Sequence, residues 1–214
     1  MISEYLTIEE SRTGEIVEKK SRFICTLFHV ETEEEAIALI EKTKKQYWDA
    51  RHNCYAFIVG KNMELKRFSD DGEPSGTAGK PILEVLEGRG LTYTLAIVTR
   101  YFGGVLLGTG GLVRAYSDAS KTAIEAGEIA CMKLMQPYEF VIDYQMVGKI
   151  KYSLNELGID ITGEEYTDVV TMKIVVPIDI CEKVEKNITE ITNGKILLDR
   201  SSHNVVYLKS KKCN

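Results

Sequence analysis

The sequence predicts an α+β protein built from two domains. Apolar, strand-like runs alternate with amphipathic helical segments along all 214 residues, a length that lets each of two domains bury its own core. After residue 127 the segments follow the order βαββαβ, which is the split arrangement of ferredoxin-like domains. We therefore predict an N-terminal α/β domain over residues 1–127 and a ferredoxin-like domain over residues 128–214.

The N-terminal domain begins with a strand or hairpin between Gly14 and Val30, where β-branched and aromatic residues alternate loosely. Thr32 followed by Glu35 is a capping box, so a helix should run from residue 33 to 48, with Tyr47 and Trp48 covering the core. The turn formers between residues 69 and 81 predict a loop. The other expected elements are strands over 54–59, 65–68 and 91–101, and helices over 82–86 and 112–126.

The C-terminal domain follows the same kind of pattern. A helix over residues 146–157 should end at Gly158, and a second helix over 180–192 precedes Asn193 and Gly194. The expected strands cover residues 129–144, 159–164 and 168–177, with a last strand or two within 195–208. Residues 209–212 are expected to fray.

The composition limits the classes of function. With 27 basic and 32 acidic residues the net charge is -5, so contact with nucleic acid must be local, and no sequence-specific DNA binding is expected. Five widely spaced cysteines without a C-x-x-C pair favour reduced thiols over disulfides or a zinc site. We find neither a signal peptide nor an apolar run long enough to span a membrane, which predicts a cytoplasmic protein without a membrane partner.

The most informative segment is a glycine-arginine motif over residues 99–114, in which five glycines lie between Arg100 and Arg114. It joins an apolar strand to a helix, a place where backbone amides can approach an anion and the helix N-terminus adds positive charge. A guanidinium fork at each end suits phosphate geometry. The alternative is structural: the glycines permit a tight crossover and close packing of the helix, and the arginines pair with Asp118 or Glu125.

Two common nucleotide motifs fail on spacing. A phosphate loop ending at Lys80 would need glycine at 74 and a hydroxyl residue at 81, where the chain has Pro74 and Pro81. A dinucleotide fingerprint starting at Gly108 would need glycine where Val113 stands. No nucleotide cofactor is therefore predicted.

Several other residues leave a functional and a structural interpretation open. His52 could act as a general base, although a single histidine is more often structural. The acidic segment at residues 70–73 could bind a metal, but its spacing favours a solvated turn. Cys54 should pack as a small hydrophobic residue with a high pKa.

Four motifs in order resemble the IMPACT family (UPF0029), in its bacterial YigZ/YvyE branch: residues 19–23, 50–56, 69–81 and 98–108. The resemblance implies an N-terminal domain with a left-handed βαβ crossover, similar to domain IV of elongation factor G, and a C-terminal domain similar to that factor's last domain. Eukaryotic members are translational regulators that bind a ribosome-associated activator of a kinase. Some bacterial relatives carry the label proline dipeptidase, which this sequence does not support, because it lacks a His, Asp and Glu metal constellation.

We therefore expect a non-enzymatic regulator of translation that binds RNA or a ribosome-associated protein, without cofactor, metal or catalytic residue. The expected contacts are Lys20, Arg22, Arg51, His52, Lys80, Arg100, Gly103, Gly104, Gly110 and Arg114. One alternative is a hydrolase or a protein that binds a small molecule or phosphate, with a pocket around His52, Asp71, Ser75 and the glycine-rich loops. Another is an adaptor, which should expose an apolar patch on its C-terminal domain.

Overall fold

The computed structural model describes residues 2–200 and 203–210. Within them the chain forms two compact units. The N-terminal domain contains Glu4–Cys131 together with Ile2, and the C-terminal domain runs from Met132 onwards and includes Ser3. Each domain has its own hydrophobic core.

The N-terminal domain is built on an antiparallel sheet with the strand order β2-β3-β6-β4-β5. Its strands are β2 (Arg12–Glu18), β3 (Ser21–His29), β4 (His52–Val59), β5 (Leu65–Ser69) and β6 (Thr94–Tyr101), and the short strand β1 (Glu4–Thr7) lies outside this sheet. The predicted hairpin is β2 and β3, joined by Lys19 and Lys20, whose φ angles of 45° and 68° are typical of a type I′ turn. Strand β1 was not predicted.

Three helices cover the two faces of this sheet: α1 (Glu33–Gln46), α2 (Gly79–Gly88) and α3 (Thr109–Glu125). The capping box is confirmed, because the Thr32 hydroxyl accepts from the Glu35 amide at 3.2 Å and the Glu35 carboxylate accepts from the Glu31 amide at 2.8 Å. Helix α1 packs on one face and α2 and α3 pack on the other.

Strand β6 shows how the two faces are divided. Successive side chains of a strand point to opposite faces, and Leu95 and Ile97 join the core under α1, whereas Ala96 and Val98 join the core under α2 and α3. Arg100, two residues after Val98, lies on the same face of the sheet as Ala96 and Val98. Since β3 and β4 both run antiparallel to β6, they are parallel to each other, and α1 is the crossover between them. The left hand of this crossover stays a prediction.

Two helices begin earlier than predicted. Helix α2 starts at Gly79 because the Asp70 carboxylate accepts from the backbone amides of Ala78 and Gly79 at 3.0 and 2.8 Å, as an N-terminal cap from a distant part of the loop. Pro81 is tolerated in the first turn. Helix α3 starts at Thr109, inside the glycine-rich segment.

The C-terminal domain has the predicted βαββαβ order. Its elements are β7 (Ala130–Ile142), α4 (Tyr144–Glu156), β8 (Ile161–Tyr166), β9 (Val170–Pro177), α5 (Cys181–Ile191) and β10 (Val206–Ser210). Strand β9 pairs with both β7 and β8 and so lies between them, as the split arrangement requires, and β10 pairs with β7. Residues 209 and 210 belong to β10 rather than to a frayed tail, and residues 211 and 212 lie outside the described part.

Candidate functional site

The topology brings the separate sequence motifs to one end of the N-terminal sheet. Because β3 and β4 run antiparallel to β6, their first residues lie beside the last residues of β6. Arg22 pairs with Tyr101, and His52 pairs with Arg100. The glycine-rich segment leaves β6 at this same end.

We call the exposed part of this region the cation–aromatic end; it consists of Lys20, Arg22, Arg51, Tyr101 and Phe102. The Arg22 guanidinium lies 5.7 Å from the ring centre of Tyr101, and that of Arg51 lies 5.4 Å from the ring centre of Phe102. Each distance is within the range of a cation–π contact. Such contacts hold the guanidinium planes over the rings.

The charges at this end are only partly matched. Arg22 donates two hydrogen bonds to the Glu15 carboxylate, at 2.8 and 3.0 Å, which holds the Glu15 pKa below its ordinary value. Among the described residues, Lys20 and Arg51 have no ion-pair partner. Their charges can therefore attract an anionic partner.

Trp48 adds an exposed aromatic ring near Arg51. The expectation that it covers the core is wrong, because its side chain is 82% exposed. It lies in the turn between α1 and β4, next to Asp49, whose carboxylate accepts a hydrogen bond from the Tyr101 hydroxyl at 3.0 Å. This hydrogen bond ties the turn to the end of β6.

Arg100 lies inside the domain rather than on the open face. Its guanidinium is ion-paired with Glu73, and the exposed fractions of the two side chains are 6% and 4%. The same carboxylate oxygen of Glu73 accepts from the Tyr116 hydroxyl at 2.8 Å, and the Cys54 thiol donates to that hydroxyl at 3.3 Å. Burial is the main reason that the pKa values of Tyr116 and Cys54 are raised.

His52 lies at the edge of this buried network. Its Nδ1 donates to the Asp71 carbonyl oxygen at 2.8 Å, and its Nε2 lies 3.9 Å from Glu73 Oε1. The ring is therefore oriented by the acidic loop, and in the neutral form Nε2 is left as an acceptor. A distance of 3.9 Å is too long for a hydrogen bond to the carboxylate.

The acidic segment at residues 70–73 is not a solvated turn, as its spacing had suggested. Asp70 accepts from the amides at the start of α2, and Asp71 accepts from Lys44 at 2.8 Å and from the Asn53 amide at 2.7 Å. The Asp71 carboxylate raises the Lys44 pKa through this hydrogen bond. Glu73 is buried. Asp71 and Glu73 fix the loop against the sheet, and Asp70 fixes it to the start of α2.

The glycines of the motif have different roles. A Cβ on Gly103 would lie 2.1 to 2.4 Å from backbone atoms of Lys20 and Ser21, so Gly103 permits the β2–β3 turn to approach the loop. Gly104 and Gly108 have φ angles of 86° and 72°, which glycine adopts at little cost. Gly110 shows neither requirement, since it has an ordinary helical φ and open space around it.

Two predicted cations lie apart from these contacts. Lys80 is on α2, with its ammonium 3.9 Å from the Glu84 carboxylate. Arg114 faces a second cavity, which Lys19 and Asp118 also line. Their roles as contacts stay predictions.

A concave pocket of about 360 Å³ adjoins the cation–aromatic end. Arg51, His52, Glu73 and Arg100 supply its polar groups, Phe102, Leu106, Leu107 and Leu112 supply apolar surface, and Gly108 and Thr109 bring the N-terminus of α3 to it. The sequence interpretation did not include Glu73 or Phe102, although the alternation that buries Ala96 and Val98 also predicts that Arg100 needs a buried partner. Among the described residues, no cluster of His, Cys, Asp and Glu could hold a metal ion.

Known proteins share this architecture. Residues 19–124 match the Impact N-terminal domain, and residues 140–195 match a domain family of unknown function, DUF1949. The chain is 44% identical over 195 residues to the IMPACT family member YvyE of Bacillus subtilis. The matched region covers 91% of this chain and 90% of YvyE. The chain belongs to the IMPACT family. This IMPACT family member is also 35% identical to YigZ of Escherichia coli, over 84% of its own length and 89% of YigZ.

A solved structure is similar as well. The crystal structure of a hypothetical protein matches with a TM-score of 0.60 and 32% sequence identity, over 92% of this chain and 97% of the other. The family resemblance and the α+β architecture are therefore confirmed. Within the described residues, no helix has the length and apolar character that crossing a bilayer requires.

Proposed function

We propose that this IMPACT family member is a non-enzymatic regulator of translation that binds RNA on the ribosome through its cation–aromatic end. The observation that carries the proposal is the pairing of arginines with partly exposed aromatic rings, Arg22 with Tyr101 and Arg51 with Phe102. Arginine planes and aromatic rings are the groups on which unpaired bases stack, and arginines and lysines bind phosphates.

The local charge supports the same proposal. Lys19, Lys20, Arg51 and Arg114 have no ion-pair partner among the described residues, and the first two lie together in the turn between β2 and β3. The chain as a whole carries a net charge of -5. A partner that binds despite this overall charge must meet the cations locally, as a phosphate backbone does.

Family membership supports the translational part of the proposal, since the resemblance to the IMPACT family implies a regulator of translation. The hydrolase alternative has less support. His52 Nε2 is 3.9 Å from the Glu73 carboxylate. The described residues around the pocket include Thr109 as a hydroxyl residue, and no hydrogen bond among the described residues joins it to His52. Nucleophilic catalysis needs a nucleophile and its base within hydrogen-bond reach.

Co-sedimentation of the full chain with ribosomes tests the proposal. We expect the wild type to pellet with ribosomes at low salt and to be released as salt rises, because phosphate contacts are salt-dependent. The double variant Arg22→Ala with Arg51→Ala should lose most of this binding. A matched control is Lys173→Ala with Lys186→Ala, which removes two exposed charges from the C-terminal domain.

The outcomes separate RNA from other partners. Binding that excess free ribosomal RNA competes away supports the proposal. Binding that free ribosomal RNA does not compete away points to a ribosomal protein instead, and equal effects of the two double variants point to a general charge effect. Either result contradicts an RNA surface at the cation–aromatic end.

A further inference from the structure

The pocket beside the cation–aromatic end has three chemically different parts. Its wall is apolar and includes Phe102 and Leu106. Leu106 is 83% exposed, and together with the partly exposed Phe102 it leaves apolar surface open to a ligand. The volume of about 360 Å³ lies within the range of small-ligand pockets.

The floor offers both hydrogen-bond donors and an acceptor. Arg100 donates one hydrogen bond, from Nη1 to Glu73 Oε1, and its Nε has no partner among the described residues. Glu73 Oε2 accepts no hydrogen bond from the described residues. The Nε is fully buried, so a ligand in the pocket can contact the other N–H groups of Arg100 as donors and Glu73 Oε2 as an acceptor.

The rim is positively charged. Arg51 lies over Phe102 at the mouth of the pocket. Helix α3, 17 residues long, begins here, and its N-cap is Gly108, which has no side chain to cap the first amides. The positive end of the helix and the guanidinium both favour a phosphate at this position.

We propose that the pocket holds one unpaired nucleotide of the bound RNA, with the base against the apolar wall and the phosphate at the rim. The Glu73 carboxylate in the floor would repel a phosphate, so the phosphate lies at the rim with Arg51 and α3. The edge of a base carries the adjacent donors and acceptors that Arg100 and Glu73 require. The inference rests on the proposed RNA binding and names the part of the RNA that enters the pocket.

Fluorescence anisotropy with the full chain tests this inference. The probes are a labelled oligouridylate, which is single-stranded, and a blunt RNA duplex of the same length. We expect Leu106→Glu to weaken oligouridylate binding about tenfold, as the loss of one stacked base would, and to affect the duplex much less. Leu106 is exposed, so the variant should fold normally.

The matched control is Leu197→Glu, because Leu197 is 76% exposed in the C-terminal domain and the charge change is the same. If Leu106→Glu and Leu197→Glu have the same effect on oligouridylate, or if Leu106→Glu weakens both probes equally, the nucleotide pocket is refuted while RNA binding stands.

If neither RNA binds the wild type, the proposed function is refuted. A third measurement then tests the pocket independently of RNA binding. Calorimetry with uridine 5′-monophosphate then decides on the pocket alone. Binding that is lost in Leu106→Glu and kept in Leu197→Glu supports a nucleotide site, and the absence of heat with the wild type overturns it.

Discussion

Arg100 and Glu73 are the residues on which the arrangement of the site depends. Both side chains are almost completely buried, and Glu73 also accepts from Tyr116. Removing one partner of a buried ion pair leaves a charge without compensation, which costs more than the pair itself contributes. An Arg100→Ala variant therefore cannot report on RNA binding alone.

We expect Arg100→Ala to lower the free energy of unfolding by about 3 kcal/mol, in the range for breaking a buried pair. Urea unfolding followed by circular dichroism measures this change. Arg22→Ala is the control, because its ion pair with Glu15 is exposed and should contribute far less to stability than the buried pair. A similarly small effect of Arg100→Ala would show that the buried pair is not formed.

The glycines give a second test at single positions. Gly103→Ala should lower the unfolding free energy by about 2 kcal/mol, because the new methyl group would overlap the Lys20 backbone and overpacking typically costs this much. Gly110→Ala meets open space in a helix and should leave stability unchanged or raise it by up to about 1 kcal/mol. The same unfolding experiment compares the two variants. If Gly110→Ala destabilised the protein, the conclusion that position 110 does not require glycine would be contradicted.

At the scale of elements, features that depend on neighbouring residues were predicted better than features that depend on residues distant in the sequence. The capping box before α1 and the apolar runs of β4 and β6 depend on neighbouring residues, and they were predicted close to their observed bounds. The start of α2 could not be predicted, because its cap is Asp70, eight and nine residues before the amides that it accepts from. Exposure of Trp48 was missed for a related reason, since burial depends on which elements pack over a turn.

Helix α5 provides a prediction on pH. Glu185 on this helix accepts from Arg200 Nε at 2.5 Å and also from Tyr138. The hydrogen bond with Arg200 is the main reason that the Glu185 pKa lies below its ordinary value of 4.5. A carboxyl with a lowered pKa in the folded state stabilises above its unfolded pKa, and this contribution is lost as the pH falls through the folded value.

We therefore expect the wild type to lose stability more steeply than Glu185→Gln between about pH 5 and pH 3. The difference should stay below about 1 kcal/mol, because Arg200 is partly exposed. Thermal unfolding followed by circular dichroism across this pH range measures it. Parallel pH profiles of the two proteins would contradict a stabilising role for the pair.

At the scale of the whole molecule, charge distribution matters more than net charge. The net charge of -5 opposes association with RNA, whereas the cation–aromatic end collects Lys20, Arg22 and Arg51 in one place. The fold is what brings these residues together, since the starts of β3 and β4 meet the end of β6. Family motifs identified the segments from the sequence, but only the strand register shows which side chains are adjacent and which of them, such as Arg100, are buried.

The salt dependence of RNA binding by the full chain is the most direct test of the central claim. With three phosphate contacts, the logarithm of the affinity for oligouridylate should fall against the logarithm of salt concentration with a slope of about -2. Arg51→Ala should weaken binding and make the slope shallower by about 0.7, the contribution of one phosphate contact on a single strand. An affinity that does not change with salt, or an Arg51→Ala variant with an unchanged slope, would contradict RNA binding at the cation–aromatic end.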